Sequence, residues 1–317
     1  MKGWVKMNNL IFLKPYLKEM IWGGTYLKNE FNFTYDGDKL GEAWIVSGIV
    51  GSDSIVYKGQ YSGMYLSELY NEHRELFGSI DYKTFPLLIK YIDAKDDLSI
   101  QVHPDDEMAK KLENYPYGKT ECWYIIDCDE NADIIIGHKA RTRNELKEMV
   151  ENKKWNELLN VFPIKKGDFF HIPAGTLHAI RKGTRILEIQ QCCDITYRVY
   201  DYDRLQNGKP RELHIDKSLK VINVPGRYKP QQRKVKITDK AEEELLVKNE
   251  LFAVKRYKIS GRMNIKQTYP FLAVNVIEGT GYVDGEPIKK GDSFIATSNC
   301  KEINIEGEIH IIVSHIV

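Results

Sequence analysis

The chain has 317 residues with 46 Lys and Arg against 45 Asp and Glu, so its net charge of +1 supplies no overall field to draw in nucleic acid or an anionic membrane. Its length favours about two linked units over one. The five cysteines Cys122, Cys128, Cys192, Cys193 and Cys300 contain no C-x-x-C pair, which argues against a disulfide framework and predicts a reducing, cytoplasmic setting.

In chain order, the N-terminal MKGWVKMNNLIFLKPYLK has too short an apolar run for a signal sequence or a membrane span, and a soluble protein is expected. EAWIVSGIV and SDSIVYKG then read as strands and SELYNEHRELFG as a helix. SIQVHPDD reads as a strand that runs into the helix DDEMAKKLENY. CWYIID is a strand, and TRNELKEMVENKKWNELLN is helical, opening with Thr142 and Glu145 at capping-box spacing. RILEIQ, ITYRVYDY, FLAVNVIEG and IHIIVSHIV complete a series of short β-branched and aromatic runs separated by Gly, Asp and Asn turns, the pattern of an all-β sandwich or barrel with a few attached α-helices.

IKKGDFFHIPAGTLHAI, from Ile164, returns as IKKGDSFIATSNCKEINI, from Ile288. Two tandem, related β-barrels are the simplest source of such a repeat. The copies differ where Pro173 to His178, PAGTLH, becomes Thr297 to Glu302, TSNCKE, and the His is lost. The first barrel is therefore expected to carry chemistry, and the second, with only Glu302, His310 and His315 nearby in sequence, no catalytic metal.

Strand alternation puts Gln101 and His103 on the face opposite Ile100 and Val102. Glu121 heads the apolar run ECWYIID, where an unpaired buried carboxylate is costly, so it needs a cation. His178 follows a rigid Pro-Ala-Gly-Thr turn. Two His, one Glu and one Gln on separated strands suit a divalent cation with open positions; the absence of thiolate favours zinc and leaves iron, manganese and cobalt open.

FPLLIKYIDAKDDLSIQVHPDDEMA, GKTECWYII, GDFFHIPAGTLHAI and QQCCDITYRVYDYDR resemble, in order and spacing, the short bacterial form of type I phosphomannose isomerase of the cupin superfamily. LKEMIWGG, GEAWIVSG and the SELYNEHRELFG helix are similar too, and after about residue 215 the resemblance is only general. It implies tandem cupin-type jelly-roll barrels, with residues 1–235 catalytic and 236–317 a degenerate cupin domain. It also implies one zinc per chain on His103, Glu121, His178 and Gln101, an active-site Arg at Arg198, and interconversion of mannose 6-phosphate and fructose 6-phosphate. Two departures stand out: Gly118 occupies the place of a His found in longer members, and Cys192 and Cys193 stand where relatives tend to have a small polar residue before Asp194.

Aldose–ketose exchange moves a proton between C1 and C2 through an enediolate whose charge must be stabilised, and needs no nucleotide. Local cations must meet the sugar phosphate. By parity Lys119 faces the same way as Glu121, Asp194 and Arg198 share a face, and so do Glu188 and Gln190; Lys90 is a lysine inside an apolar run. Arg198 and Lys119 are the candidate catalytic residues and Lys90, Glu188 and Asp194 the candidate substrate contacts, with the base open among Lys119, Glu188 and Asp194. A metal-dependent cupin oxygenase and a non-catalytic sugar-binding module are the competing readings. Gly118-Lys119-Thr120 is no nucleotide loop, because position 113 is Glu. GTGYVDG reads as a hairpin, His171 as core packing, and His73, His138, His214, His310 and His315 have no partner pattern.

Overall fold

The computed structural model describes residues 9–230, 233–238 and 240–317. Within these the chain divides into two compact units, one drawn from Met1–Tyr16, Trp44–Ile89 and Gln232–Val317, the other from Leu17–Ala43 and Lys90–Gln231. Residues 44–89 and the first strand fall in the unit that ends the chain, an assignment the sequence pattern does not announce. Its cause is pairing between distant segments: Leu10–Lys14 is hydrogen-bonded to Ser293–Thr297 on one side and to Ile55–Val56 on the other.

The first unit is built on a nine-stranded sheet in which Phe252–Lys266, Glu302–Ile316 and Phe271–Val283 form a long antiparallel centre. Alternation orients it. Leu272, Val274 and Val276 share one face and meet Phe294, Ile311 and Val313 in an apolar cluster. The predicted GTGYVDG hairpin is here, turning at Asp284 and Gly285, both with positive φ, between Phe271–Val283 and Glu286–Lys289.

The second unit holds the larger part of two further sheets. Six strands run in the order Phe169–Ile172, Glu121–Cys128, Thr184–Gln191, Leu87–Ala94, Tyr16–Gly24, Leu40–Val46, and five in the order Tyr197–Tyr200, Ile100–Val102, His178–Ile180, Asp133–His138, Leu159–Pro163. Ile100, Val102, Ala179, Tyr197 and Val199 leave the five-stranded sheet on one side and pack with Leu146, Val150 and Val221 of helices Arg143–Glu151 and Ile215–Val221. On the other side Ile134, Ile136 and Ile180 meet Trp22, Ile92, Trp123 and Ile186 of the six-stranded sheet. Gln101, His178 and Arg198 share that inward parity, so the space between the sheets changes from aliphatic to titratable.

The expected helices form with shorter bounds. DDEMAKKLENY yields Asp106–Glu113, capped by Asp105, whose carboxylate accepts from Met108 N at 2.8 Å. TRNELKEMVENKKWNELLN yields Arg143–Glu151 and a short Trp155–Leu158 turn, broken where Lys153 adopts φ +53°. Thr142 Oγ1 accepts from Glu145 N at 3.1 Å, but the Glu145 carboxylate turns to Arg141 N, so only half of the capping box is made.

The repeat is structural as well as sequential. Lys165 N donates to the Asp168 carboxylate at 2.9 Å and Lys289 N to that of Asp292 at 2.8 Å. Gly167 N reaches Ile125 O and Gly291 N reaches Val276 O, both at 2.9 Å, with φ of +90° and +94° that favour Gly. The same turn thus joins equivalent strands in both copies. None of the five cysteines forms a disulfide, and no described helix is long and apolar enough to cross a membrane.

Candidate active site

A single rung across the five-stranded sheet carries three predicted residues, because Gln101 pairs with His178 on one side and with Arg198 on the other. His103 lies just beyond the end of the Ile100–Val102 strand, in a segment tied in by three hydrogen bonds, two of them between backbone groups. Gly175 N donates to His103 O at 2.8 Å, Lys119 N to Pro104 O at 2.9 Å, and Ala174 N to Thr120 Oγ1 at 3.2 Å. These stitch the His-Pro, Lys-Thr-Glu and Pro-Ala-Gly-Thr motifs together. Gly118 permits the approach, since a Cβ there would stand 2.4 Å from the carbonyl carbon of Asp105.

Both imidazoles are locked in one tautomer. His103 Nδ1 lies 2.8 Å from Ile195 O and His178 Nδ1 2.8 Å from Thr176 O; a carbonyl only accepts, so each Nδ1 carries the proton and each Nε2 keeps its lone pair. Those lone pairs converge on Glu121, with His103 Nε2 at 3.5 Å from one carboxylate oxygen and His178 Nε2 at 3.4 Å from the other. Burial pushes both imidazoles down, that of His178 to about 4, so at neutral pH they are uncharged donors. His103 Nε2 and Glu121 Oε2 are buried without a hydrogen-bond partner, and ligand atoms of the three residues lie within 4.8 Å of one another. Two neutral imidazole nitrogens and a carboxylate gathered in this way are a donor set that fits a divalent cation. Gln101 borders the group through its amide nitrogen, 3.4 Å from His178 Nε2, while its oxygen accepts from Ser99 Oγ. It would ligate only after its amide turned over.

A charged network surrounds the donors. Lys119 Nζ is 3.0 Å from Glu121 and 3.9 Å from Glu188; Lys90 Nζ is 3.6 Å from Glu188, 3.7 Å from Glu42 and 3.5 Å from Asp194. Burial alone would lower both lysines, but the carboxylates outweigh it and hold both above the ordinary range. Glu188 is pushed up by burial and by Glu121, against the pull of the two lysines. For Asp194, burial is overcome by Lys90 and Lys18, which lower it. A cavity of about 260 Å³ opens on this network, lined by Gln101, Lys90, Lys119, Glu188, Asp194 and Arg198. Every candidate residue therefore belongs to the donor group or to the cavity wall.

Beside these findings stand the comparisons with known proteins. A family model described as the catalytic domain of type I phosphomannose isomerase matches residues 10–126, and one described as the mannose-6-phosphate isomerase cupin domain matches residues 242–316. The chain is 46% identical to the mannose-6-phosphate isomerase ManA of Bacillus subtilis, over 96% of this chain and 98% of that one. It is 42% identical to the mannose-6-phosphate isomerase of Streptococcus mutans over the same shares. The chain belongs to the type I phosphomannose isomerase family. A crystal structure of the mannose 6-phosphate isomerase from Bacillus subtilis superposes with a TM-score of 0.94 at 45% identity, covering 97% of this chain and 99% of that one.

Within the family frame, the Cys192 and Cys193 departure is peripheral to the cavity. Both residues are fully buried, Cys192 O accepts from the Tyr115 hydroxyl, and Cys193 Sγ accepts from Ile195 N. Four titratable residues of the cavity wall escaped the sequence reading. Glu42 stands in the apolar run GEAWIVSG, the signal that exposed Glu121 and Lys90. Lys18 and Arg211 lie in segments with no such contrast. His214, given no role above, lines the cavity, and its Nδ1 accepts from Arg198 N at 3.2 Å. A wider groove of about 490 Å³ in the first unit, lined by Lys240, Lys258, Glu278 and Glu308 among others, holds none of the candidate residues.

Proposed function

We propose that this chain interconverts mannose 6-phosphate and fructose 6-phosphate with one zinc ion per chain, held by His103, Glu121 and His178 with Gln101 at its edge. The observation that carries this is the backbone-locked pair of neutral imidazoles aimed at the buried Glu121, in a chain of this family. When bound, the metal supplies Lewis acidity toward substrate oxygens.

The chain's own groups divide the remaining work. Lys119, held charged between Glu121 and Glu188, donates to the oxygen on which enediolate charge grows. Glu188, pushed up by burial and with Oε2 lacking a hydrogen-bond partner, is suited to carry the proton between C1 and C2. Lys90 keeps Glu188 in place; Asp194, kept ionised by Lys90 and Lys18, accepts from a sugar hydroxyl. Arg198 meets the anionic part of the substrate. Chemistry is assigned to residues 1–235 and a supporting role to 236–317, in the cytoplasm where such substrates occur.

A coupled assay of mannose 6-phosphate conversion, with and without chelator and with the metal content measured in parallel, tests the reading. Activity lost on chelation and restored by zinc is expected. Full turnover in metal-free protein would refute it.

A further inference from the structure

Beside the donor group, the cavity presents an excess of guanidinium. Strands stand ~4.8 Å apart, so the Arg198 backbone is ~10 Å from that of His178 along their common rung, a span of the order of an extended sugar phosphate. Arg198 Nε is buried without a hydrogen-bond partner, and one terminal nitrogen reaches only Glu212 O at 3.4 Å. Arg211 lines the same cavity. Its Nε donates to Asp201 Oδ2 at 2.7 Å and its Nη2 to Asp201 Oδ1, which leaves three of the five guanidinium N–H groups for another acceptor. Asp201 also grips Arg204, whose Nη2 lies 2.6 Å away. One carboxylate therefore serves two guanidiniums beside a third that it does not touch.

Such a fork, held rigid by a carboxylate behind it, suits a tetrahedral dianion in front. The pressure is visible in Arg198, which burial and then the neighbouring Arg211 push down from its ordinary range. We propose that Arg211, fixed by Asp201, binds the substrate's phosphate together with Arg198, and that Asp201 is the positioning residue behind the preference for a phosphorylated sugar. The proposal rests on the isomerase reading and names the part of the site that reads the phosphate.

Zinc-loaded wild type, Arg211→Gln, Asp201→Asn and Asp201→Glu are compared by titration calorimetry with inorganic phosphate and by mannose 6-phosphate kinetics. Losing one charge-assisted pair is expected to weaken phosphate binding and raise KM on the order of tenfold in Arg211→Gln, with kcat nearly kept. Asp201→Asn is expected to shift KM in the same direction by less, and Asp201→Glu to restore much of it. If Asp201→Asn fails to fold, Arg211→Gln and Asp201→Glu still decide. Wild-type phosphate affinity and KM in Arg211→Gln, beside an active wild type, would overturn the clamp and leave the isomerase standing. Phosphate binding that depends on Arg211, in a wild type that turns over no mannose 6-phosphate, would support the clamp and overturn the isomerase.

Discussion

Lys90→Met removes the one ammonium that stands between Glu42, Glu188 and Asp194. The side chain of Lys90 is 3% exposed, those of Glu188 and Glu42 are 4% and 10% exposed, and that of Asp194 is 43% exposed. Asp194 can therefore fall back on water and on Lys18, and its loss counts for little. Glu188 keeps Lys119, at 3.9 Å, but neither it nor Glu42 is exposed enough for water to replace Lys90. Stripping a buried carboxylate of its cation costs about 3–5 kcal/mol, and at about 2–4 °C per kcal/mol for a protein of this size the melting temperature should fall by roughly 6–20 °C. The penalty should depend on pH. Glu188 has a raised pKa when folded, so its contribution to stability is present at low pH and lost as pH rises through that value. Deleting Lys90, which pulls it down, raises it further, so protonation rescues the variant and the loss should be larger near pH 8 than near pH 5.5. Denaturant unfolding with chelator present, to remove the stabilisation by metal, measures it at both pH values. Adding Glu188→Gln to Lys90→Met should recover part of the loss. A loss under about 1 kcal/mol, or one equal at both pH values, would refute the claim that these carboxylates depend on Lys90.

His178→Ala should abolish both metal retention and isomerisation while far-ultraviolet dichroism stays unchanged, because the sheet keeps its aliphatic core; metal analysis against wild type checks this. Lys119→Met should keep its metal and lose kcat by about a hundredfold, the scale of one lost donor to a growing oxyanion; an unchanged kcat would remove Lys119 from the chemistry. Gly118→Ala should lower stability by about 1–3 kcal/mol and reduce activity, since its Cβ would collide with the Asp105 backbone and push Lys119 away from Pro104; thermal melts and initial rates suffice. Asp168→Ala and Asp292→Ala should each cost about 1 kcal/mol if the two turns are equivalent, and a large difference between them would deny that equivalence.

Local chemistry was readable from the sequence. Alternation placed Gln101 with His103 and set Arg198 apart from Tyr197 and Val199, because side-chain direction in a strand depends only on parity. Glu121 and Lys90 were conspicuous as charges in apolar runs, since burying a charge demands a partner somewhere. The Lys-Lys-Gly-Asp repeat announced two copies of one turn, and the hydrogen bonds are the same in both. Which partner each charge finds was settled by tertiary structure. Lys90 meets Glu42 from an earlier strand and Asp194 from a later loop, and Asp201 gathers Arg204 and Arg211 across a hairpin. His214 looked idle until helix Ile215–Val221 packed against the five-stranded sheet and set it behind Arg198. The interleaving of the two units has the same origin: strand pairing joins Leu10–Lys14 to Ser293–Thr297 through backbone groups that every residue carries, so no side-chain pattern announces it.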